Sequence, residues 1–143
     1  MRVRPLSVAD VELVAFRLAK EHLAWDEPIP DFGTRVPHTL ERCLVTPFQS
    51  FGGRQLYHGL IGKAAMLFYL LIKNHPFLNG NKRIAVMALL VFLATHGKWL
   101  RVDPQELYRF AVWIAASNPR VKDATVAAIE QFVRVYLKDH AHA

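Results

Sequence analysis

The 143-residue sequence predicts an all-α fold in one domain that covers residues 1–143. Apolar residues recur at helical spacing along most of the chain, and neither an internal repeat nor a low-complexity tract interrupts them. Hydrophobic residues make up 52% and charged residues 21%, a balance typical of a globular protein. A chain of this length buries roughly two thirds of its unfolded surface around one core, so we expect no second core.

The N-terminal segment predicts one helix followed by a loop. Ser7, with Asp10 three positions later, resembles a helix N-cap. The apolar residues of VELVAFRLAKEHLAW then form one stripe, which continues the helix to about Trp25. Residues 26–38 contain three prolines and a glycine and are expected to form a loop.

The central part of the chain predicts a short helix and then two long ones. The short helix covers residues 39–46 and ends at Pro47. Residues 47–57, PFQSFGGRQLY, are expected to be irregular or extended. The long helices run from about 57 to 74 and from about 80 to 96, and the second has almost no polar face. A helix that is apolar all round belongs in the middle of a bundle.

The C-terminal part predicts two further helices. Gly97 stands where a left-handed residue commonly ends a helix, and residues 98–102, KWLRV, are expected to be extended. Asp103 predicts the cap of the next helix because a proline and an acidic residue follow in its first turn. Asp123 is expected to cap the last helix, residues 124–139.

Residues 75–83, HPFLNGNKR, form the corner between the two long helices. Gly80, Asn81 and Lys82 should therefore lie at the N-terminus of the most buried helix, where free backbone N–H groups and the helix dipole attract anions. Lys82 adds a compact positive charge, and Arg83 adds a planar set of donors suited to phosphate oxygens. The pattern predicts a phosphate-binding site.

His75 lies at the other side of the same corner. Its imidazole can accept a proton from a hydroxyl group near neutral pH, and a base beside a phosphate site indicates attack of a hydroxyl on phosphorus. Phe77 is expected to hold the loop in the core. Each residue alone has an ordinary interpretation: His75 as a surface residue, Asn79 or Asn81 as a cap, and the cations as a solvated pair. Their coincidence at one corner favours a functional site.

Charge and composition limit the partners and the compartment. The net charge of +6 indicates an acidic partner, which could be a nucleotide, a nucleic acid or a protein. Nucleic acid is not expected, since the basic residues are scattered and no helix-turn-helix stands out. Cys43 is the only cysteine, which excludes an internal disulfide and fits the cytoplasm. The longest apolar runs are too short to cross a membrane.

HPFLNGNKR resembles the signature of the Fic/Doc family, and the Lys82–Arg83 pair is similar to the Doc (death-on-curing) toxin branch. Similarity extends upstream through LYHGLIGKAAMLFYLLIKN and downstream through IAVMALLVFLATHGKWL. The resemblance implies a Fic-like bundle of about six helices, with the signature loop at the N-terminus of the buried central helix. It also implies ATP, Mg²⁺ and transfer of a group to a hydroxyl of a protein.

The resemblance assigns a role to each residue of the corner. His75 would be the general base; Asn81, Lys82 and Arg83 would hold phosphates, and Gly80 would contribute its backbone N–H. Asn79 stands where the family usually has an acidic metal ligand, and it offers Mg²⁺ a carbonyl oxygen without a charge.

The resemblance also implies partners. Doc-like members phosphorylate elongation factor Tu, and residues 47–57 correspond to the flap that guides the target. The chain contains no self-inhibitory Ser/Thr-x-x-x-Glu-Gly/Asn segment, so we expect a separate antitoxin.

Three functions stay open at this point. The first is phosphorylation of a translation factor. The second is adenylylation, in which the same base directs attack at the α-phosphorus. The adenylylating branch has glycine where this chain has Lys82. The larger side chain should crowd the anion site and favour the kinase-like orientation of the nucleotide. The third is a degenerate, non-enzymatic basic module that binds nucleic acid or a partner protein.

Overall fold

The computed structural model describes residues 2–22 and 29–139. Trp25, the predicted end of the first helix, lies outside them. The described residues form six helices and four short strands, which confirms the all-α prediction. The helices are α1 (residues 8–22), α2 (Pro37–Val45), α3 (Gly59–Lys73), α4 (Asn81–Ala94), α5 (Pro104–Ala116) and α6 (Lys122–Tyr136).

The strands form two separate antiparallel pairs at the edge of the bundle. β1 (Ser50–Phe51) and β2 (Arg54–Gln55) make a small hairpin, with Gly52 and Gly53 in its turn. Both glycines have positive φ, as a tight hairpin turn requires. β3 (Lys98–Leu100) pairs with β4 (Leu137–Asp139), which brings the C-terminal segment back beside the end of α4. The sequence predicts irregular or extended chain for residues 47–57 and extended chain for residues 98–102, and each segment contains a strand.

The antiparallel pair α3 and α4 forms the centre of the bundle. About three quarters of the residues of the two helices are buried, 11 of 15 in α3 and 11 of 14 in α4, as the apolar sequence predicts. α4 also packs against α1, α5 and β3, while α3 packs against α2, α5 and α6. Since neighbours cover both helices on several sides, the loop that joins them is held in place by the core of the protein.

Local sequence signals set several of the helix ends. Ser7 and Asp10 form a capping box in which each side chain accepts a hydrogen bond from the other's backbone N–H. Asp103 caps α5 by accepting from the N–H of Gln105, and Pro104 begins that helix. Gly97 has a φ of 74° just after α4. All three end signals are confirmed.

The first helix is less regular than the sequence predicts. α1 is α-helical over Val8–Asp10 and Arg17–His22 but π-helical over Val11–Phe16. Val11 and Phe16, five residues apart, are both buried because a π-turn brings that spacing onto one face.

The prediction for the last helix was wrong at both ends. α6 begins at Lys122, so Asp123 lies in its first turn instead of capping it. The helix ends at Tyr136, and the residues that follow pair with β3. Tertiary pairing therefore replaces the last turn of the expected helix. Among the described residues, no helix is long and apolar enough to cross a membrane.

Candidate functional site

The corner, residues 75–83, joins α3 to α4 through a left-handed glycine. Gly80 is the N-cap of α4, with φ 75° and ψ 15°, and no side chain forms a cap hydrogen bond there. The first helical bond of α4 runs from the N–H of Ile84 to the carbonyl of Gly80. The preceding N–H groups at this helix end therefore have no partner within the helix, which is the arrangement that binds anions.

Two independent features of the corner require glycine at position 80. Its positive φ disfavours any residue with a side chain. A Cβ atom at this position would also stand 2.9 Å from Cγ1 of Ile29 and 3.6 Å from Nη2 of Arg83. The glycine thus lets the chain pass close to both side chains as α4 begins.

Asn81 holds the corner in shape through its side-chain amide. Its Oδ1 accepts from the N–H of Phe77 at 3.0 Å, and its Nδ2 donates to the carbonyl of Phe77 at 2.8 Å. The residue is 9% exposed. Both amide ends are therefore committed to the loop backbone, so the structure gives Asn81 a positioning role in addition to the phosphate contact that the sequence predicts.

Phe77 and Pro76 attach the loop to the rest of the protein. The ring of Phe77 is buried and lies 5.8 Å from that of Phe16 and 5.9 Å from that of Phe32, measured between centroids. The carbonyl of Pro76 accepts from the N–H of Val36, the residue before α2, at 2.9 Å. The prediction that Phe77 holds the loop in the core is confirmed.

His75 is exposed and has an unusual backbone. Its φ is 48°, in the left-handed region that residues other than glycine seldom adopt. Such strain, of order 1–3 kcal/mol, is typical of functional sites. Nδ2 of Asn81 lies 3.5 Å from Nδ1 of His75, at the outer limit of a hydrogen bond in which the amide N–H would donate to Nδ1.

The two cations of the corner differ in exposure. Lys82 is partly exposed and can place its ammonium group near a bound anion. Arg83 is only 3% exposed, and its guanidinium lies beneath Gly80. A buried guanidinium adds positive potential under the helix N-terminus.

The residues of the corner fit a phosphate group better than they fit a metal ion. The N-terminus of α4 and the positive charge of Lys82 both favour an anion. The nine residues include no carboxylate, and Asn79 is exposed. Within the described part of the chain, no cluster of three or more His, Cys, Asp or Glu could hold a metal. A metal ion at this corner would therefore find only neutral oxygen ligands among the nine residues.

The sequence analysis missed Lys63, which lies in α3 near the hairpin. Its Nζ donates to Oε1 of Gln55 at 2.7 Å and to the carbonyl of Tyr57 at 2.6 Å. The signal available in the sequence was a single lysine within the apolar run LIGKAAMLFYLLI. A lone charge in such a run is either exposed or bonded inside the protein, and only the structure shows which.

Cys43 lies away from this chemistry. The residue is fully buried in α2, and burial raises the pKa of its thiol to about 11. A thiol in that environment is a poor nucleophile, which agrees with a structural role.

Comparison with known proteins identifies the family. A model of the Fic/DOC family matches residues 5–93, which include α1, the hairpin, the corner and nearly all of α4. The match covers more than half of the chain, and the chain belongs to the Fic/DOC family. Membership supports a Fic-type transferase in general terms. No curated protein and no solved structure matches the chain.

Proposed function

We propose that the protein is a Doc-like transferase that uses ATP to phosphorylate a hydroxyl group of a protein target. The observation that supports this most directly is the corner itself. An exposed histidine with a strained backbone and an open helix N-terminus with two cations lie within nine residues of chain. This pairing of a base with an anion site suits transfer of a phosphoryl group to a hydroxyl.

Each residue of the corner has a role in the proposed reaction. His75 takes the proton from the attacking hydroxyl as its oxygen bonds to phosphorus. The first-turn N–H groups of α4, with Lys82 and Arg83, bind phosphate oxygens and stabilise the charge that develops on them. Asn81 keeps the loop, and thereby His75, in register with that helix end. Bound ATP supplies the phosphoryl group, and its bond to the leaving ADP is the one that breaks.

Mg²⁺ is the metal proposed for this site, with Asn79 as an uncharged protein ligand in place of the usual acid. Asn79 could contribute a neutral oxygen, since its exposed side chain lies in the loop just before Gly80.

The proposed target is a translation elongation factor, of the kind represented by elongation factor Tu, in the cytoplasm. A separate antitoxin is proposed as the inhibitory partner. Both proposals rest on the likeness of Lys82–Arg83 to the Doc branch.

The experiment that tests this function compares two labels on the nucleotide. The purified protein is incubated with elongation factor Tu and with bacterial lysate, using ATP labelled either at the γ-phosphate or at the α-phosphate. We expect label on protein from γ-labelled ATP only, and none with His75→Ala. Label from the α-phosphate would instead show adenylylation. Absence of both labels at every Mg²⁺ concentration would favour the non-enzymatic binding module.

A further inference from the structure

Lys63 is a buried cation that the proposed reaction does not use. Its side chain is 4% exposed, and both of its hydrogen-bond acceptors, on Gln55 and Tyr57, are neutral oxygens. Burial lowers the pKa of its ammonium group. A charged group in such surroundings costs free energy unless its N–H groups are bonded, so these two bonds are central to the role of this lysine.

The contacts of Lys63 join α3 to both ends of the hairpin. Gln55 belongs to β2, and Tyr57 lies just after it. Nζ of Lys63 also lies 5.7 Å from the centre of the Phe48 ring, which precedes β1. Gly62, the residue before Lys63, lets the end of the hairpin approach α3 closely. A Cβ atom on Gly62 would stand only 3.3 Å from the carbonyl carbon of Tyr57.

The strands themselves do little to hold the orientation of the hairpin, which depends on the residues that flank them. Besides the bonds of Lys63, Phe48 and Tyr57 pack against the core, and the ring of Phe48 lies 6.3 Å from that of Phe92. All four strand residues are exposed, and Phe51 is 81% exposed. The ladder consists of two residue pairs, closed by a bond from the N–H of Leu56 to the carbonyl of Gln49. A two-stranded hairpin of this size is at best marginally stable alone in water. Its position must therefore come from its contacts with the helices.

We propose that Lys63 is a positioning residue that fixes the hairpin relative to the corner, and thereby sets how the target is presented to His75. Lys63 and Lys73 are ten residues apart on α3, about 15 Å along one rigid helix that leads into the corner. The helix thus carries the hairpin contact near its start and the base just beyond its end. The presentation of the target rests on the proposed function, whereas the hold on the hairpin does not.

Hydrogen exchange tests the hold on the hairpin without any activity. Lys63→Met keeps most of the apolar stem and removes the N–H donors. The matched control is Lys73→Met, because Lys73 on the same helix also donates to two acceptors, the carbonyls of Ala115 at 3.2 Å and Ser117 at 2.6 Å. We expect the Leu56 amide to exchange about tenfold faster in Lys63→Met than in Lys73→Met. Equal rates would overturn the proposal.

A second variant covers the case in which Lys63→Met does not fold. Gln55→Leu removes one acceptor of the lysine from an exposed strand position, where folding should be unaffected. Faster exchange of the Leu56 amide in this variant supports the proposal, and unchanged exchange overturns it.

Transfer kinetics test the role in target presentation. For Lys63→Met we expect KM for the protein target to rise about tenfold while kcat and KM for ATP change less than about twofold. Faster exchange with an unchanged target KM would overturn the positioning role. If the wild-type protein modifies no target, the proposed function fails, and the exchange experiment still decides whether Lys63 holds the hairpin.

Discussion

The corner and the hairpin are the two segments to which we assign the proposed reaction, and the protein holds them in opposite ways. The corner is attached on several sides: Phe77 is buried against two aromatic rings, Asn81 bonds to the loop backbone, and Pro76 bonds to Val36. The strand residues of the hairpin are exposed, and the hairpin is held only at its base, by the bonds of Lys63 and the packing of Phe48 and Tyr57 against the core.

The difference corresponds to two kinds of task. Transfer to a hydroxyl needs the base and the phosphate site within a fraction of an ångström of the productive geometry, which requires supporting residues that do not move. A docking strand gains its hydrogen bonds from the partner and tolerates adjustment. We therefore expect substitutions in the corner to lower both the stability of the protein and the rate of transfer strongly. Substitutions in the hairpin should affect mainly the binding of the target.

The largest expected effect is on catalysis. His75→Ala should lower the rate of transfer by about 10²–10⁴-fold because the general base is lost. The melting temperature should change little, since the side chain is exposed and alanine leaves the backbone in the same conformation. His58→Ala, at an exposed N-cap that forms no side-chain cap bond, is the control. Equal rates for both variants would remove His75 from the mechanism.

The next prediction compares the same type of substitution, phenylalanine to alanine, in the corner and in the hairpin. Phe77→Ala should lower the free energy of unfolding by about 3–5 kcal/mol, because a buried ring leaves a cavity. Phe51→Ala, at an exposed hairpin position, should change it by less than about 0.5 kcal/mol. Urea denaturation of both variants measures the contrast. Similar values would show that the two segments are held to the same degree.

Two glycines, Gly53 in the hairpin and Gly80 in the corner, allow a second comparison of the two segments. Gly53→Ala in the hairpin turn meets no atom within 4 Å, so only its positive φ opposes the change, at about 1–2 kcal/mol. Gly80→Ala has the same disadvantage and in addition meets Ile29 at 2.9 Å, which should add about 1–3 kcal/mol. Thermal unfolding followed by circular dichroism should rank the variants in that order. A reversed order would mean that the corner accommodates a side chain.

The smallest expected effect concerns magnesium. Asn79→Asp places an anionic oxygen beside the phosphate site, so transfer at limiting Mg²⁺ should increase, by about an order of magnitude at most. The gain should shrink or reverse as Mg²⁺ is withdrawn, because the carboxylate then repels the phosphates.

The control for this prediction is Asn79→Leu, which removes the oxygen without adding a charge. Identical magnesium titrations of the three proteins would show that residue 79 does not contact the metal.

Local sequence patterns were sufficient to predict the fold class and the position of the candidate site. Helical periodicity located α3 and α4, and Ser7, Asp103 and Gly97 marked helix ends, because caps and left-handed glycines act over a few neighbouring residues. The residues HPFLNGNKR also indicated a candidate base and a candidate anion site at one corner, since the turn between two adjacent helices is local.

The tertiary structure decided how that corner and the rest of the chain are supported. The bonds of Asn81 to Phe77, the burial of Arg83 and the bonds of Lys63 to the hairpin depend on which surfaces meet. The last helix ends early for the same reason, since residues 137–139 pair with a strand that lies far earlier in the sequence. Such contacts are set by the packing of the whole bundle, and local pattern carries no information about them.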